Sequence, residues 1–424
     1  MNRGGPASSL AVRRGGTDPA SLRGVDVTWM DPEAQARYAF AVIDPDPPRR
    51  PLQAMLPEEL ALAAGIDIAD ARRIISLGHR AGALPERSPA TIRRRALDAV
   101  RASFAIPSLT IAERRESQED PFVKYAFQLA DGAVVETVRI PLERAGRYSV
   151  CVSSQVGCAL ACAFCATGKM GLARNLEAWE IIEQVRVVRA GIPSPGRVHG
   201  VLFQGMGEPM ANLDRVIQAI RVLGEPCAQA IDMRNITVCT AGLPAGIRRL
   251  YREVPAVRLG VSLGAVVPGR RRALMPIDGA HPLEDVLAAA GEHARATRHS
   301  PMFAYTLLAG INDADDDAAA LADLAVRFGE QHGATPRLSL IPYNAIGPGD
   351  VFARSDRLDA FRAVLRARGV GTIVRYSGGS DVGAACGQLS RPGSGGKASS
   401  LAADATAKRA SSADLDTKPA PPGV

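Results

Sequence analysis

The sequence lacks two features that would place it in or across a membrane. None of its 424 positions opens an apolar run of about 18 residues, and the amino terminus has no hydrophobic signal core. We therefore expect no transmembrane span and no membrane partner. A reducing cytoplasm is the expected location.

Cysteine is scarce and unevenly placed, which argues against a disulfide scaffold. The chain has seven cysteines, an odd number, and Cys158, Cys162 and Cys165 fall close together. Disulfide-stapled domains are short and carry paired cysteines along their whole length. The clustering therefore indicates a metal or redox site.

The charge balance is mildly basic. There are 51 Lys and Arg against 44 Asp and Glu, which gives a formal net charge of +7, and charged residues make up 22% of the chain. With 46% hydrophobic residues the chain is not a wholly disordered one. The basic excess favours an anionic partner such as RNA.

The length and the composition shifts predict several segments. A single hydrophobic core stops growing at roughly 250–300 residues, so one large and one small domain are expected. The predicted division is a mostly disordered tail at 1–50, a helical accessory domain at 51–118, a β-hairpin at 119–143, a catalytic barrel at 144–390 and a disordered tail at 391–424.

Strand and helix patterns alternate through the second half of the chain. An Asp-Gly turn joins two apolar runs at 125–129 and 134–140, which indicates the hairpin. Strands are then predicted near 150–153, 200–205, 235–239, 257–263, 302–308 and 337–341, with helices between them. Such repetition predicts an α/β fold with a partial parallel (β/α)6 barrel, whose chemistry lies at the carboxyl ends of the strands.

The three clustered cysteines have the spacing CxxxCxxC. Three thiolates can hold three irons of a [4Fe–4S] cluster and leave the fourth iron open for a substrate. A structural zinc site is the alternative, but it would need Cys151 or a distant residue as its fourth ligand.

Several segments resemble one known family. CxxxCxxC after the first strand of a barrel is the signature of the radical S-adenosylmethionine (SAM) superfamily. The texts CVSSQVGCALACAFCATGKMGLARNL, GMGEPMANLD, SLIPYN, TIVRYSGG and AACGQL closely resemble the RlmN/Cfr family of rRNA and tRNA adenine methyltransferases, over about 124–389. The resemblance implies a radical SAM barrel, a [4Fe–4S] cluster and SAM as cofactors, an RNA substrate, an electron donor such as flavodoxin, and a monomer.

The resemblance also implies roles in cofactor binding. Cys158, Cys162 and Cys165 correspond to the cluster ligands, and the residues that correspond to SAM contacts are Gly207, Glu208, Cys239, Ser262, Leu263, Gly264 and Asn344. Two of these depart from the family pattern, because Cys239 replaces an expected Ser and Gly264 an expected His. The nearby Arg270, Arg271 and Arg272 either offset the missing imidazole or form a solvated loop.

Three further residues correspond to the catalytic groups of the family. Cys386 matches the methyl-carrying cysteine, Cys151 the thiol that resolves the RNA adduct, and Glu136 the proton acceptor. Without the family resemblance, a lone cysteine is more often a small buried residue. A Glu on a hairpin strand is then more often exposed to solvent.

The function implied is methylation of an adenine ring carbon in RNA, with carbon 2, as in RlmN, favoured over carbon 8, as in Cfr. A radical SAM enzyme for a small molecule or a peptide is the alternative, favoured by the altered segment SLGAVV. A third hypothesis is a metal-stabilised RNA-binding protein. The presence of Glu136, Cys151 and Cys386 together argues against this hypothesis, because a binding protein needs neither a base nor two separate thiols.

Overall fold

The computed structural model describes residues 49–347 and 349–389. The predicted tail at 391–424 lies outside the described residues, as does the tail at 1–50 apart from its last two positions. Within the described range no helix has the length and the apolar character needed to cross a bilayer.

The described part of the first compact unit covers 49–78 and 83–107. Its elements are β1 (Arg50–Pro51), α1 (Pro57–Ala64), α2 (Ile68–Ala81), whose last turn is assigned to the second unit, α3 (Arg94–Ser103) and β2 (Phe104–Ala105). Helix α1 begins at a proline and ends at Gly65, whose φ of 62° is the left-handed conformation that favours glycine. Leu60, Ile74 and Leu97 are fully buried within this small helical unit.

The second unit is built on one large sheet. Its strands are β3 (Thr110–Glu116), β4 (Val123–Gln128), β5 (Val134–Pro141), β6 (Arg147–Val152), β7 (Gln155–Cys158), β8 (Gly171–Asn175), β9 (Arg197–Phe203), β10 (Ile236–Thr240), β11 (Arg258–Ser262), β12 (Met302–Leu307), β13 (Arg337–Pro342) and β14 (Thr372–Val374). Ten of them follow the order β14-β13-β12-β11-β10-β9-β6-β5-β4-β3, and β7 pairs with β8 alone. In the large sheet, β6 and the strands from β9 to β14 are parallel and stand in chain order, as in a barrel.

Helices connect the parallel strands. They are α4 (Ala178–Ala190), α5 (Leu213–Gly224), α6 (Pro244–Glu253), α7 (Arg270–Leu274), α8 (Leu283–Thr297), α9 (Asp315–His332) and α10 (Leu358–Ala367). Val201, Val238 and Val261 on three adjacent strands are fully or almost fully buried, as expected for strands covered by helices. The predicted α/β fold, with parallel strands joined by helices, is confirmed. In the described residues the sheet stays open, since β3 and β14 are its two edges.

Two elements differ from the sequence-based expectation. Residues 110–116 fall in the region predicted to be helical, but they form β3, which pairs with β4 and extends the predicted hairpin to three strands. Pairing with β4 outweighs the local helical preference, and the charged side chains of β3 suit an exposed edge strand. A seventh parallel strand, β14, has only three residues and leaves too short an apolar run to be recognised.

Candidate active site

A cleft opens at the carboxyl ends of the parallel strands, where the barrel pattern predicts the chemistry. The space within it, including the part open to solvent, is about 970 Å³. Nine of the predicted site residues line it: Cys158, Cys162, Cys165, Gly207, Glu208, Cys239, Ser262, Gly264 and Cys386. Residues far apart in the chain are therefore brought to one place.

The cysteine triplet lies on the loop that follows β7. Cys158 is the last residue of that strand, and the amide of Cys165 donates to the carbonyl of Cys162 at 3.1 Å. Gly168 packs against the loop so closely that a Cβ there would lie 2.9 Å from the Cys162 backbone. The loop is thus held in one shape with its three thiols towards the cleft.

The surroundings of these thiols favour a bound cation. Burial, together with the neighbouring cysteines and Glu208, raises the pKa of Cys158 to about 11 and that of Cys162 to about 12. Three neighbouring thiolates therefore need positive charge beside them, which the irons of a cluster provide.

The donor set fits a cluster better than a single ion. Across the described residues no three His, Cys, Asp or Glu side chains converge on one point. A structural zinc site would also need a fourth ligand besides the three cysteines. In a [4Fe–4S] cluster each thiolate binds a different iron, so convergence on one point is not required. Three closely spaced thiols on one wall of an open cleft meet that requirement.

Gly207 and Glu208 follow β9 and are held by neighbouring strands. Gly207 has a φ of 98°, and a Cβ on it would come within 2.5 Å of the Gln155 side chain. Glu208 is 4% exposed, and its two carboxylate oxygens accept from the amides of Met210 at 3.0 Å and Ala241 at 2.9 Å. Burial raises the pKa of Glu208. A buried carboxylate fixed in this way is suited to accept hydrogen bonds from an ammonium group.

The two positions that depart from the family pattern also lie in the cleft. Cys239 is buried on β10 with its Sγ 3.6 Å from the Gln204 Oε1, and burial raises its pKa to about 12. Gly264 has a φ of 69°, and a Cβ there would lie 2.5 Å from the Met275 Sδ. A side chain at position 264, such as the expected imidazole, would meet both left-handed backbone strain and the Met275 side chain.

The contacts of Arg271 show whether it belongs to a solvated loop, which the sequence left open. It is 2% exposed and donates to the carbonyls of Leu263 at 3.0 Å and Ala241 at 2.6 Å, while it pairs with Asp278 at 2.5 Å. Arg271 is therefore not part of a solvated loop, since it joins the ends of β10 and β11.

Leu263 and Asn344 are placed behind the cleft rather than on its wall. Leu263 is fully buried, and its amide donates to the carbonyl of Ala304. Asn344 donates to the Ser377 Oγ at 3.1 Å and to the carbonyl of Cys386 at 3.2 Å. In this structure Asn344 therefore supports the turn that carries Cys386.

Cys386 and Cys151 are near enough for the charge of one to act on the other, although 235 positions separate them. Cys386 is partly buried and lines the cleft, and its amide donates to the Ser377 Oγ at 2.8 Å. Burial, with Cys386 and Cys239 nearby, raises the pKa of Cys151. None of the cysteines forms a disulfide. Both thiols are therefore free in this structure.

Further contacts tie the segment of Cys386 to the cysteine triplet. The amide of Ala166 donates to the carbonyl of Gly387 at 2.9 Å, and the Thr167 Oγ1 donates to the carbonyl of Leu389 at 2.7 Å. The segment from Ala385 to Leu389 thereby forms part of the cleft wall.

Glu136 lies away from the cleft wall. It is 2% exposed on β5, so it is buried and not exposed to solvent as a Glu on a hairpin strand usually is. Its Oε1 pairs with the Lys124 Nζ at 3.0 Å. Val138, two residues on, stands opposite Cys151 in the β5–β6 register, so Glu136 and Cys151 share one face of the sheet. Lys124 was missed in the sequence because one lysine among apolar strand residues gives no signal.

Comparisons with known proteins agree with this geometry. Residues 152–325 match the radical SAM superfamily. A probable RNA methyltransferase of Sorangium cellulosum is 72% identical over 80% of this chain and 91% of the relative. The dual-specificity RNA methyltransferase RlmN of Syntrophobacter fumaroxidans is 45% identical over 65% of this chain and 78% of the relative.

A solved structure shares the fold as well. The radical SAM methyltransferase of Sphaerobacter thermophilus superposes with a TM-score of 0.72 at 34% identity, covering 80% of this chain and 99% of that one. Membership of its superfamily brings a [4Fe–4S] cluster and SAM as cofactors, as the sequence predicts. With the cleft and its cysteines, these likenesses show that the chain belongs to the RlmN-type family of radical SAM RNA methyltransferases.

Proposed function

We propose that this chain methylates carbon 2 of an adenine in rRNA, tRNA or both, and that Cys386 carries the methyl group as S-methylcysteine. The observation that supports this most is the placement of Cys386 in the same cleft as the cysteine triplet, with Cys151 buried beside it. Relatives named dual-specificity RNA methyltransferase RlmN favour carbon 2 over carbon 8.

Cofactor binding uses the residues that line the cleft. Cys158, Cys162 and Cys165 would hold the cluster, and Glu208 would accept from the ammonium group of SAM. Gly207, Cys239, Ser262 and Gly264 would lie along the ligand, with Leu263 and Asn344 as supports. When bound, the cluster and SAM supply an organic radical, and SAM also supplies the methyl group.

A carrier thiol is needed because the adenine ring carbon cannot take a methyl group directly from SAM. The carbon between two ring nitrogens of adenine has no nucleophilic electron pair, so it cannot displace a methyl group from SAM. Cys386 solves this by taking the methyl group on its sulfur. That methyl group then gives up a hydrogen atom to the organic radical that the cluster and SAM would supply, and the remaining thio-methylene radical bonds to the ring carbon, which joins RNA and protein.

Release requires a base and a second thiol. The adduct passes one electron to a one-electron acceptor, a role that the cluster would supply, and Glu136 accepts the proton of the ring carbon. The Cys151 thiolate then attacks the Cys386 sulfur, so that a disulfide forms and the carbon–sulfur bond breaks. The freed carbon takes up a proton and stays on adenine as a methyl group. A dithiol reductant must reopen the disulfide before the next cycle.

The partners follow from this chemistry. We infer a monomer that works in the cytoplasm, where the RNA substrates are found and cysteines stay reduced, with a one-electron donor such as flavodoxin. The net charge of +7 predicts that RNA binding weakens as salt concentration rises.

Nucleoside mass spectrometry tests the substrate and the product together. Anaerobic turnover with deproteinised rRNA and tRNA is expected to give 2-methyladenine in at least one of them. A product at carbon 8 would correct the position alone. Consumption of a small molecule or a peptide with no methylated adenine would overturn the proposal in favour of the alternative reaction class.

A further inference from the structure

Lys124 is a buried lysine that contacts two parts of the proposed machinery at once. Its Nζ lies 3.0 Å from the Glu136 Oε1 and donates to the carbonyl of Gly383 at 3.3 Å. Gly383 belongs to the turn that carries Cys386, three residues before it. Lys124 is 9% exposed, so water contributes little to its solvation.

Such a lysine is costly to bury and rare unless it is paired. Removal of one partner leaves the other charge buried without compensation, and a buried carboxylate then takes up a proton rather than stay charged. The ionisable groups that share this face of the sheet with Glu136 include Lys124 on β4, Cys151 on β6, and Arg115 and Glu113 on β3, which pair with each other. Lys124 is the cation that contacts the Glu136 carboxylate, so its charge favours the carboxylate form of Glu136.

The contact of Lys124 with Gly383 fixes the position of the turn that carries Cys386. Gly383 has a φ of 65°, and a Cβ there would lie 3.2 Å from the Lys124 Nζ, so the turn approaches the ammonium group closely. This contact links β4 to a residue 259 positions later. The ammonium group therefore sets the distance between the turn of Cys386 and the carboxylate of Glu136.

We propose that Lys124 is a positioning residue that keeps Glu136 ionised and aligns it with the turn carrying Cys386. The inference rests on the proposed function, in which Glu136 accepts the ring proton of the RNA adduct. Lys124 itself touches neither the RNA nor a cofactor in this role.

Three variants separate charge from structure. Lys124→Met removes the charge and the donor, Lys124→Gln keeps a donor for the carbonyl of Gly383 without charge, and Lys124→Arg keeps the cation. With the Met and Gln variants we expect SAM cleavage and Cys386 methylation to persist. Release of methylated RNA should fall roughly 100-fold, as for loss of a general base, and the covalent adduct should accumulate. The Arg variant should recover most of the release.

An infrared measurement without RNA gives a readout independent of turnover. At neutral pH, Lys124→Met is expected to show a protonated carboxylic acid band that wild type lacks and that disappears in Lys124→Met/Glu136→Gln. A merely structural role would not create this band.

Several outcomes would overturn the inference. Wild-type release by the Met and Gln variants would do so, as would absence of the carboxylic acid band or loss of Cys386 methylation in every variant. If Glu136→Ala accumulates the adduct and the Lys124 variants do not, Lys124 alone is misassigned. If Glu136→Ala itself releases methylated RNA normally, the proposed role of Glu136 fails and the role of Lys124 fails with it.

Discussion

At the scale of single residues, Gly264 shows how a departure from the family pattern is accommodated. Its φ of 69° and the Met275 Sδ beside it make glycine the residue that fits this loop. The carbonyl of Gly264 also accepts from the Asn312 Nδ2 at 2.7 Å, which holds the loop against a buried asparagine. The loss of an imidazole is thus coupled to the local backbone conformation.

Gly264→Ala is expected to lower the free energy of unfolding by about 2–4 kcal/mol, since left-handed strain and overpacking against Met275 add. Urea denaturation of the anaerobic protein measures the change. Gly333→Ala is the matched control, because Gly333 has a φ of 66° with nothing within 4 Å of a Cβ and should lose only about 1 kcal/mol. Equal losses at the two sites would show that Met275 does not crowd position 264.

Some site residues were predictable from sequence and others were not. Cys158, Cys162 and Cys165 have a local spacing that favours a cluster over a structural zinc site. The burial of Lys124 depends on Gly383, 259 positions away, and no local pattern encodes that contact. Asn344 was predicted as a SAM contact, and its hydrogen bond to the carbonyl of Cys386 could not be read from sequence.

At the scale of secondary-structure elements, the strand ends that form the cleft are joined by side chains. Arg271 links the end of β10 to the end of β11 through two backbone carbonyls. The parallel strands were predictable because each is an apolar run followed by a helical pattern. Strand β3 was not, because its identity comes from pairing with β4 rather than from its own charged sequence.

Arg271→Met is expected to destabilise the fold by about 3–5 kcal/mol, because it leaves buried carbonyls and Asp278 without their partner. Chemical denaturation checks this. Arg368→Met removes an exposed pair with Asp323 and should change stability by less than about 1 kcal/mol. A loss at Arg271 no larger than that at Arg368 would contradict the role of Arg271 as a link between strands.

At the scale of the whole molecule, the proposed catalytic centre is assembled from the two ends of the run of parallel strands. Cys151 comes from its first parallel strand and Cys386 from the segment after its last, and the contacts of Ala166 and Thr167 with that segment close the arrangement. Only the family resemblance predicts this pairing of thiols from the sequence, because spacing alone does not bring positions 151 and 386 together.

The measurement that tests the two-thiol mechanism most directly compares Cys151→Ala with Cys386→Ala after anaerobic turnover with RNA, on denaturing gels followed by nuclease digestion and peptide mass mapping. Cys227→Ser is the control, since Cys227 does not line the cleft. We predict that Cys151→Ala accumulates RNA bonded through one carbon to Cys386, that Cys386→Ala forms no adduct, and that the control turns over normally. Normal release of methylated RNA by Cys151→Ala would contradict the mechanism.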